Sequence, residues 1–258
     1  AITVNADDVV VTATGQPHAK GRAFGMSIST GLSMGANDVR VTSAPVVTAT
    51  AGGTFNVDDM TVRAKTLKNG GLRNADAYAA SSAGGLLLGA TSTYTQTDSL
   101  DIVTARLDGG SHVTSTGHLI IDANSTLVNY SEANSAAAGL IGAGESTALA
   151  RSNTVISSRV GAGAVITAEQ LSVLSTGTAT NTADTTAGSG GLVALSGAAP
   201  TTSTTANVAS TIGDGANVTL QTGIGSLSVS ATHTAKPNTY VVTDAYGLIG
   251  GSGADANN

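Results

Sequence analysis

The chain has 258 residues, of which 41% are hydrophobic, 3% aromatic and only 11% charged, with no cysteine. Seventeen acidic residues against eleven basic ones leave a net charge of −6, which excludes the concentrated basic face that a nucleic-acid partner requires. Without cysteine there is no disulfide framework and no thiol chemistry, and no stretch reaches the ~20 apolar residues of a membrane helix.

The apolar residues are mostly Ala, Val, Leu and Ile, with 33 Gly and only 4 Pro. Such small side chains suit a thin core between close sheets, and scarce Pro leaves backbone N–H groups free for β-ladders. In chain order the first element is the alternating run Asp7-Asp8-Val9-Val10-Val11-Thr12-Ala13, followed by the Gly25-Met26 step. A glycine turn into a strand, Gly53-Thr54-Phe55, then precedes Asp58-Asp59-Met60-Thr61-Val62-Arg63-Ala64 and the step Gly85-Leu86. The order recurs as the turn at Gly110, the run beginning His118-Leu119-Ile120-Ile121 and the step Gly139-Leu140. It recurs again at Gly163, Leu171-Ser172-Val173 and Gly191-Leu192, and once more at Gly215, Leu227-Ser228-Val229 and Gly247-Leu248. The anchors Val9, Met60, Leu119, Leu171 and Leu227 follow one another at intervals of 51, 59, 52 and 56 residues.

Period-two alternation with Gly, Asn and Asp corners predicts strands, and no stretch holds a 3.6 period with caps. The Ala-rich stretches Ala77–Ala90 and Ser131–Arg151 are therefore read as strands, and Gly84–Ala90 as a buried one. Stacked repeats bury a core that no single copy could bury, which predicts an all-β solenoid. A repeat of 51–59 residues is longer than a compact coil, so two coils per repeat are expected. The whole chain, 1–258, reads as one continuous solenoid cut from a longer polypeptide, with about nine or ten coils in a rod on the order of 45 Å long.

Candidate chemistry is sparse. The acidic pairs Asp7-Asp8 and Asp58-Asp59 occupy equivalent positions where stacked carboxylates could share Ca²⁺, but later copies hold Gly117-His118, Glu169-Gln170 and Gly225-Ser226. A solvated corner in which Asp caps the turn is the expected alternative, and no cofactor or metal is assigned. Gly250–Asp255 partly matches a calcium-binding nonapeptide without tandem recurrence and reads as a Gly-rich turn. His18, His112, His118 and His233 form no ladder, and a zinc site needs three convergent ligands. Asp101, Arg106 and Asp108, with Asp122 beyond, are the densest set for a carbohydrate-active β-helix enzyme. Such chemistry needs paired carboxylates and a sugar cleft; Tyr78, Tyr94, Tyr130, Tyr240 and Tyr246 with no Trp make a poor one, so no enzyme is expected. Sequon matches at Asn124, Asn129 and Asn217 carry little weight in so Asn- and Thr-rich a chain.

The Gly-turn strands, the Leu-x-Val-x-Ala runs and the Thr/Ser/Asn-rich, cysteine-free composition resemble the repeat regions of large bacterial filamentous-haemagglutinin-type adhesins. That resemblance implies a right-handed parallel β-helix, export to the cell surface or medium, and an adhesive or fibrous role. Expected partners are a host or neighbouring-cell surface, glycans or matrix, or further copies of the chain. The alternatives are a subunit of a self-assembling extracellular filament and, in a different class, the β-helix enzyme.

Overall fold

The computed structural model describes residues 2–68, 70–221 and 225–258. These form strands and no helix, wound into five successive coils. The first coil holds β1 (Thr3–Asn5), β2 (Asp8–Gly15), β3 (Ala19–Ser29), β4 (Leu32–Ser43) and β5 (Val46–Ala51); the second holds β6 (Thr54–Val57), β7 (Asp59–Thr66), β8 (Ala75–Gly85) and β9 (Leu88–Leu107). Three longer-stranded coils follow: β10 (His112–Ser115), β11 (His118–Ala138) and β12 (Ile141–Val160); β13 (Val165–Ala168), β14 (Gln170–Gly190) and β15 (Val193–Ile212); β16 (Asn217–Leu220), β17 (Ser226–Tyr246) and β18 (Ile249–Ala254).

Like elements stack on like in three parallel sheets. A narrow base sheet takes β1, β6, β10, β13 and β16. One flank takes β2, β3, β7, β8, β11, β14 and β17, and the other takes β4, β5, β9, β12, β15 and β18. The five sequence anchors form a single ladder, Val9–Met60–Leu119–Leu171–Leu227. Each sequence repeat is therefore one wide coil and not two. A flank strand such as β11 runs 21 residues, far beyond the usual ~5–6, so one turn of the chain consumes a whole repeat. Five coils at ~4.8 Å make a stack of roughly 24 Å, about half the expected length.

Side-chain volume explains this shape. The bulky apolar residues Met60, Leu107, Leu119, Ile121, Ile156, Ile166 and Leu171 are fully buried together beside the base sheet. Further along the flanks the inward residues shrink to Ala133, Ala148, Ala150 and Ala183, which form their own small cluster. Near the far edge Ser146 reaches straight across to Ser135 at 2.9 Å, and a Cβ on Gly142 would come within 2.6 Å of the Gly190 carbonyl. The flanks thus converge from a Leu/Ile-filled base to an edge filled by small residues, Ala, Ser, Gly and Thr.

Between base and edge the core is polar, and at its centre the side chains are paired. Ser99 donates to Asn129 Oδ1 (2.6 Å), while Asn129 Nδ2 donates to the Arg151 carbonyl (3.0 Å) and to Asn181 Oδ1 (2.8 Å). The two hydrogens of Asn181 Nδ2 in turn are shared among Ser152 Oγ, the Ser203 carbonyl and Thr204 Oγ1. This stacked amide pair ties the two flanks together and satisfies groups that burial would otherwise penalise.

The interval of 59 residues has a local cause. The offset to β11 falls from 59 at β7 to 54 at β8, so the connection between those strands carries five extra residues. Asn74 closes the break by exchanging bonds with Val128: its Oδ1 accepts from the Val128 N–H and its own N–H donates to the Val128 carbonyl, both at 2.8 Å.

Three expectations need correction. Gly25 is not the equivalent of Gly85: it pairs with Ser81 inside a strand, and Gly85 pairs with Ser29. Gly84–Ala90 is not a buried strand but the edge corner, where Leu86 and Leu87 are exposed. Gly250–Asp255 falls mostly in β18, a strand paired with β15, and not in a turn. Gly139, Gly191 and Gly247 do mark the corner, and a Cβ at Gly139 or Gly247 would clash with a neighbouring carbonyl. At the base corners Gly110, Gly163 and Gly215 repeat one left-handed conformation (φ 68, 67 and 69°), which favours glycine. Gly53 lies one residue out of that ladder, since His112 pairs with Thr54, and its φ is 129°.

Candidate contact surface

The densest chemistry lies on the outer face of the first flank. Register stacks Arg22, Tyr78, Glu132, Asp184 and Tyr240 in one column, one residue from each coil. Asp76 and Tyr130 sit in the column two residues before it, and Phe24 and Asn134 in the column two residues after. Four of the chain's seven aromatic residues therefore share one patch.

The patch is internally bonded. The Arg73 guanidinium lies 3.5 Å from the Tyr130 ring centroid and pairs with Asp76 at 3.3 Å. Tyr130 Oη is 3.0 Å from Glu132 Oε2 and 3.2 Å from Asp184 Oδ2, and its single proton can serve only one carboxylate at a time. Asn134 Nδ2 donates to the other Glu132 oxygen at 2.9 Å. Burial pushes the Asp184 carboxyl above its ordinary value, with the charge of Glu132 adding to it and the Tyr130 bond opposing. Burial and the bond to Glu132 likewise raise Tyr130, so the phenol keeps its proton. Phe24 contacts Tyr78 with centroids 5.2 Å apart. Phe24 and Tyr240, at 69% and 57% exposure, leave aromatic surface free at either end. The result is a stripe with open rings at both ends and carboxylate acceptors between, about 19 Å long for four coil steps.

The other candidates fall elsewhere. Asp8 and Asp59 share a ladder, with His118 in the next coil, and the carboxylates of Asp58 and Asp59 accept hydrogen bonds at the corner. The His118 N–H donates to Asp59 Oδ1 at 2.6 Å, holding that carboxyl below its ordinary value, and Thr116 donates to Asp58 Oδ1 at 2.8 Å. The Asp7 carbonyl accepts from the N–H groups of Asp58 and Asp59. No group of three or more metal-ligating side chains converges among the described residues.

The proposed carboxylate set does not assemble. Asp101 points into the core at 1% exposure, accepting hydrogen bonds from Thr66 and Ser125. Asp108 lies outside it, paired with Arg106 at 3.0 Å, and Asp122 is paired with Arg63 at 2.9 Å. Inward Asp101 and outward Asp108 cannot flank one scissile bond. Conversely, composition made the tyrosines look scattered; aligning the repeats would have placed Tyr78 and Tyr240 in one column. Among the described residues no helix is long and apolar enough to cross a membrane. Searches for relatives find no matching family model, no matching curated protein and no matching solved structure.

Proposed function

We propose that the chain is a structural, adhesive segment of a secreted or cell-surface fibrous protein, and that its contact surface is the aromatic–carboxylate stripe on the first flank. The observation that carries this reading is the concentration of Phe24, Tyr78, Tyr130 and Tyr240 with Glu132 and Asp184 on one face of a chain otherwise poor in aromatic and charged residues. Exposed rings stack on sugar faces or cationic groups, and carboxylates accept hydrogen bonds from hydroxyls. The stack supplies a rigid support, because each flank strand is hydrogen-bonded in parallel to a strand of an adjoining coil.

The test is binding of the purified chain to immobilised polysaccharides, matrix proteins and cell surfaces. Retention that drops about tenfold in Phe24→Ala/Tyr240→Ala, with unchanged circular dichroism, supports the reading. Retention that ignores these substitutions, or no retention on any such surface, overturns it.

A further inference from the structure

The edge where the flanks meet has a composition unlike the rest of the surface. Residues 25–36, 81–92, 135–145, 187–197 and 243–253 form this edge in the five coils, and Glu145 and Asp244 are the only Asp, Glu, Lys, Arg or His among them. Its crest is a ladder in which Ile141 N–H donates to the Leu87 carbonyl, Val193 to Leu140, and Ile249 to Leu192. Leu87, Leu140, Leu192 and Leu248 on that crest are 53, 49, 47 and 83% exposed. Beside it, on the outer face of the second flank, runs a groove of about 750 Å³. Its floor is Ala90 and Ala143, with Met34 and Leu195 in the same register column on either side.

We propose that this edge is an interface between two copies of the chain, the leucine crest of each seating in the groove of the other. The proposal rests on the reading of the chain as a structural segment, but not on the aromatic stripe. Three observations favour a second copy as occupant. With a net charge of −6, two copies repel wherever their charged faces meet, and this edge, where only Glu145 and Asp244 are charged, is a charge-poor line of approach. The crest and groove share the coil spacing: Met34 and Leu195 lie three steps, ~14 Å, apart, which admits two crest leucines at ~4.8 Å. A mutual seating about a two-fold axis satisfies both features at once. A lipid surface fits less well, because the nearest charged lining residue, Glu145, is acidic and no basic residue lies within these segments to meet anionic headgroups.

The experiment is sedimentation of the purified chain from 1 to 200 μM, together with oxidation of a mixture of Leu140→Cys and Ala143→Cys variants in this cysteine-free background. The inference expects a concentration-dependent dimer, a mixed disulfide between the two variants, and at least tenfold weaker association in Leu140→Glu/Leu192→Glu. These leucines lie outside the core, and the cysteine pair reports on nearly native protein should the charged variant unfold. A chain that stays monomeric at 200 μM, a dimer indifferent to both leucine substitutions, or edge-dependent flotation with phosphatidylcholine vesicles overturns it. The adhesive reading fails separately: loss of dimer with retained surface binding sinks only the edge interface, and dimerisation without surface binding sinks only adhesion.

Discussion

Replacing Asn129 by Ala tests the claim that a polar seam fastens the two flanks. The substitution removes three bonds, from Ser99, to the Arg151 carbonyl and to Asn181 Oδ1, at 2.6, 3.0 and 2.8 Å. Asn129, Asn181 and Ser99 are each no more than 1% exposed, so water cannot replace the lost partner without a cavity. The stranded Asn181 oxygen costs about 1–3 kcal/mol, and the Ser99 hydroxyl and Arg151 carbonyl about 1 kcal/mol each after they reorient. The sum is about 3–5 kcal/mol, a large part of the ~5–15 kcal/mol by which domains are stable. In urea, with an m-value of about 2 kcal/mol/M, the midpoint read by circular dichroism falls by roughly 1.5–2.5 M. Asn181→Ala is costly for the same reason, and the double variant costs about 1–2 kcal/mol less than the sum. A loss below about 1 kcal/mol for Asn129→Ala, or strict additivity with Asn181→Ala, refutes the seam.

Other consequences follow from the same geometry. Ala183→Leu places three extra carbons where Ala133, Ala148 and Ala150 leave no space; we expect a loss of about 1–3 kcal/mol or failure to fold, seen as a lower melting temperature. Gly163→Ala meets no atom within 4 Å at φ +67°, so only backbone strain of roughly 1–2 kcal/mol is expected. Gly142→Ala drives a Cβ to 2.6 Å from the Gly190 carbonyl and should cost more; the two urea midpoints give the comparison. Burial raises the Asp101 carboxyl above its ordinary value of 3.8, against the bonds from Ser125 and Thr66. A raised folded-state pKa means the stability contributed by the protonated form is full below the unfolded value and lost as pH rises through the folded one. Asp101→Asn should therefore melt above the parent at pH 7, with the gap closing as pH falls towards 3.8. A gap that does not vary with pH contradicts this.

Much of the architecture was legible because a parallel stack places equivalent residues one above another. Val9, Met60, Leu119, Leu171 and Leu227 are similar in type since each packs on the one beneath, so aligning the repeats reproduced the strand register. The number of coils was not legible, for a physical reason. Inward Thr, Ser, Asn and Gly in the outer halves of the flanks, such as Asn129, Ser131 and Gly144, look like loop residues in one dimension. Only pairing across the narrow interior shows that they continue strands of 20 and 21 residues. The Gly-Leu step was visible, but its role was inverted: the leucines crown an exposed corner and do not fill a core. The aromatic stripe escaped because its members are 52 to 56 residues apart, and neither composition nor local spacing shows that Tyr78, Glu132, Asp184 and Tyr240 form one column.

The central claim, one wide coil per repeat, is tested most directly by paired cysteines. Thr126 and Thr178 are register partners whose side chains both point outward. Their backbones lie one ladder step apart, ~4.8 Å, within the Cα separation that a disulfide spans. Two coils per repeat would instead pair Thr126 with a residue about half a repeat further on, near Arg151, which here lies on the outer face of the opposite flank. Rapid intramolecular disulfide formation in Thr126→Cys/Thr178→Cys, and none in Thr126→Cys/Arg151→Cys, is the predicted result. The reverse outcome would contradict the fold.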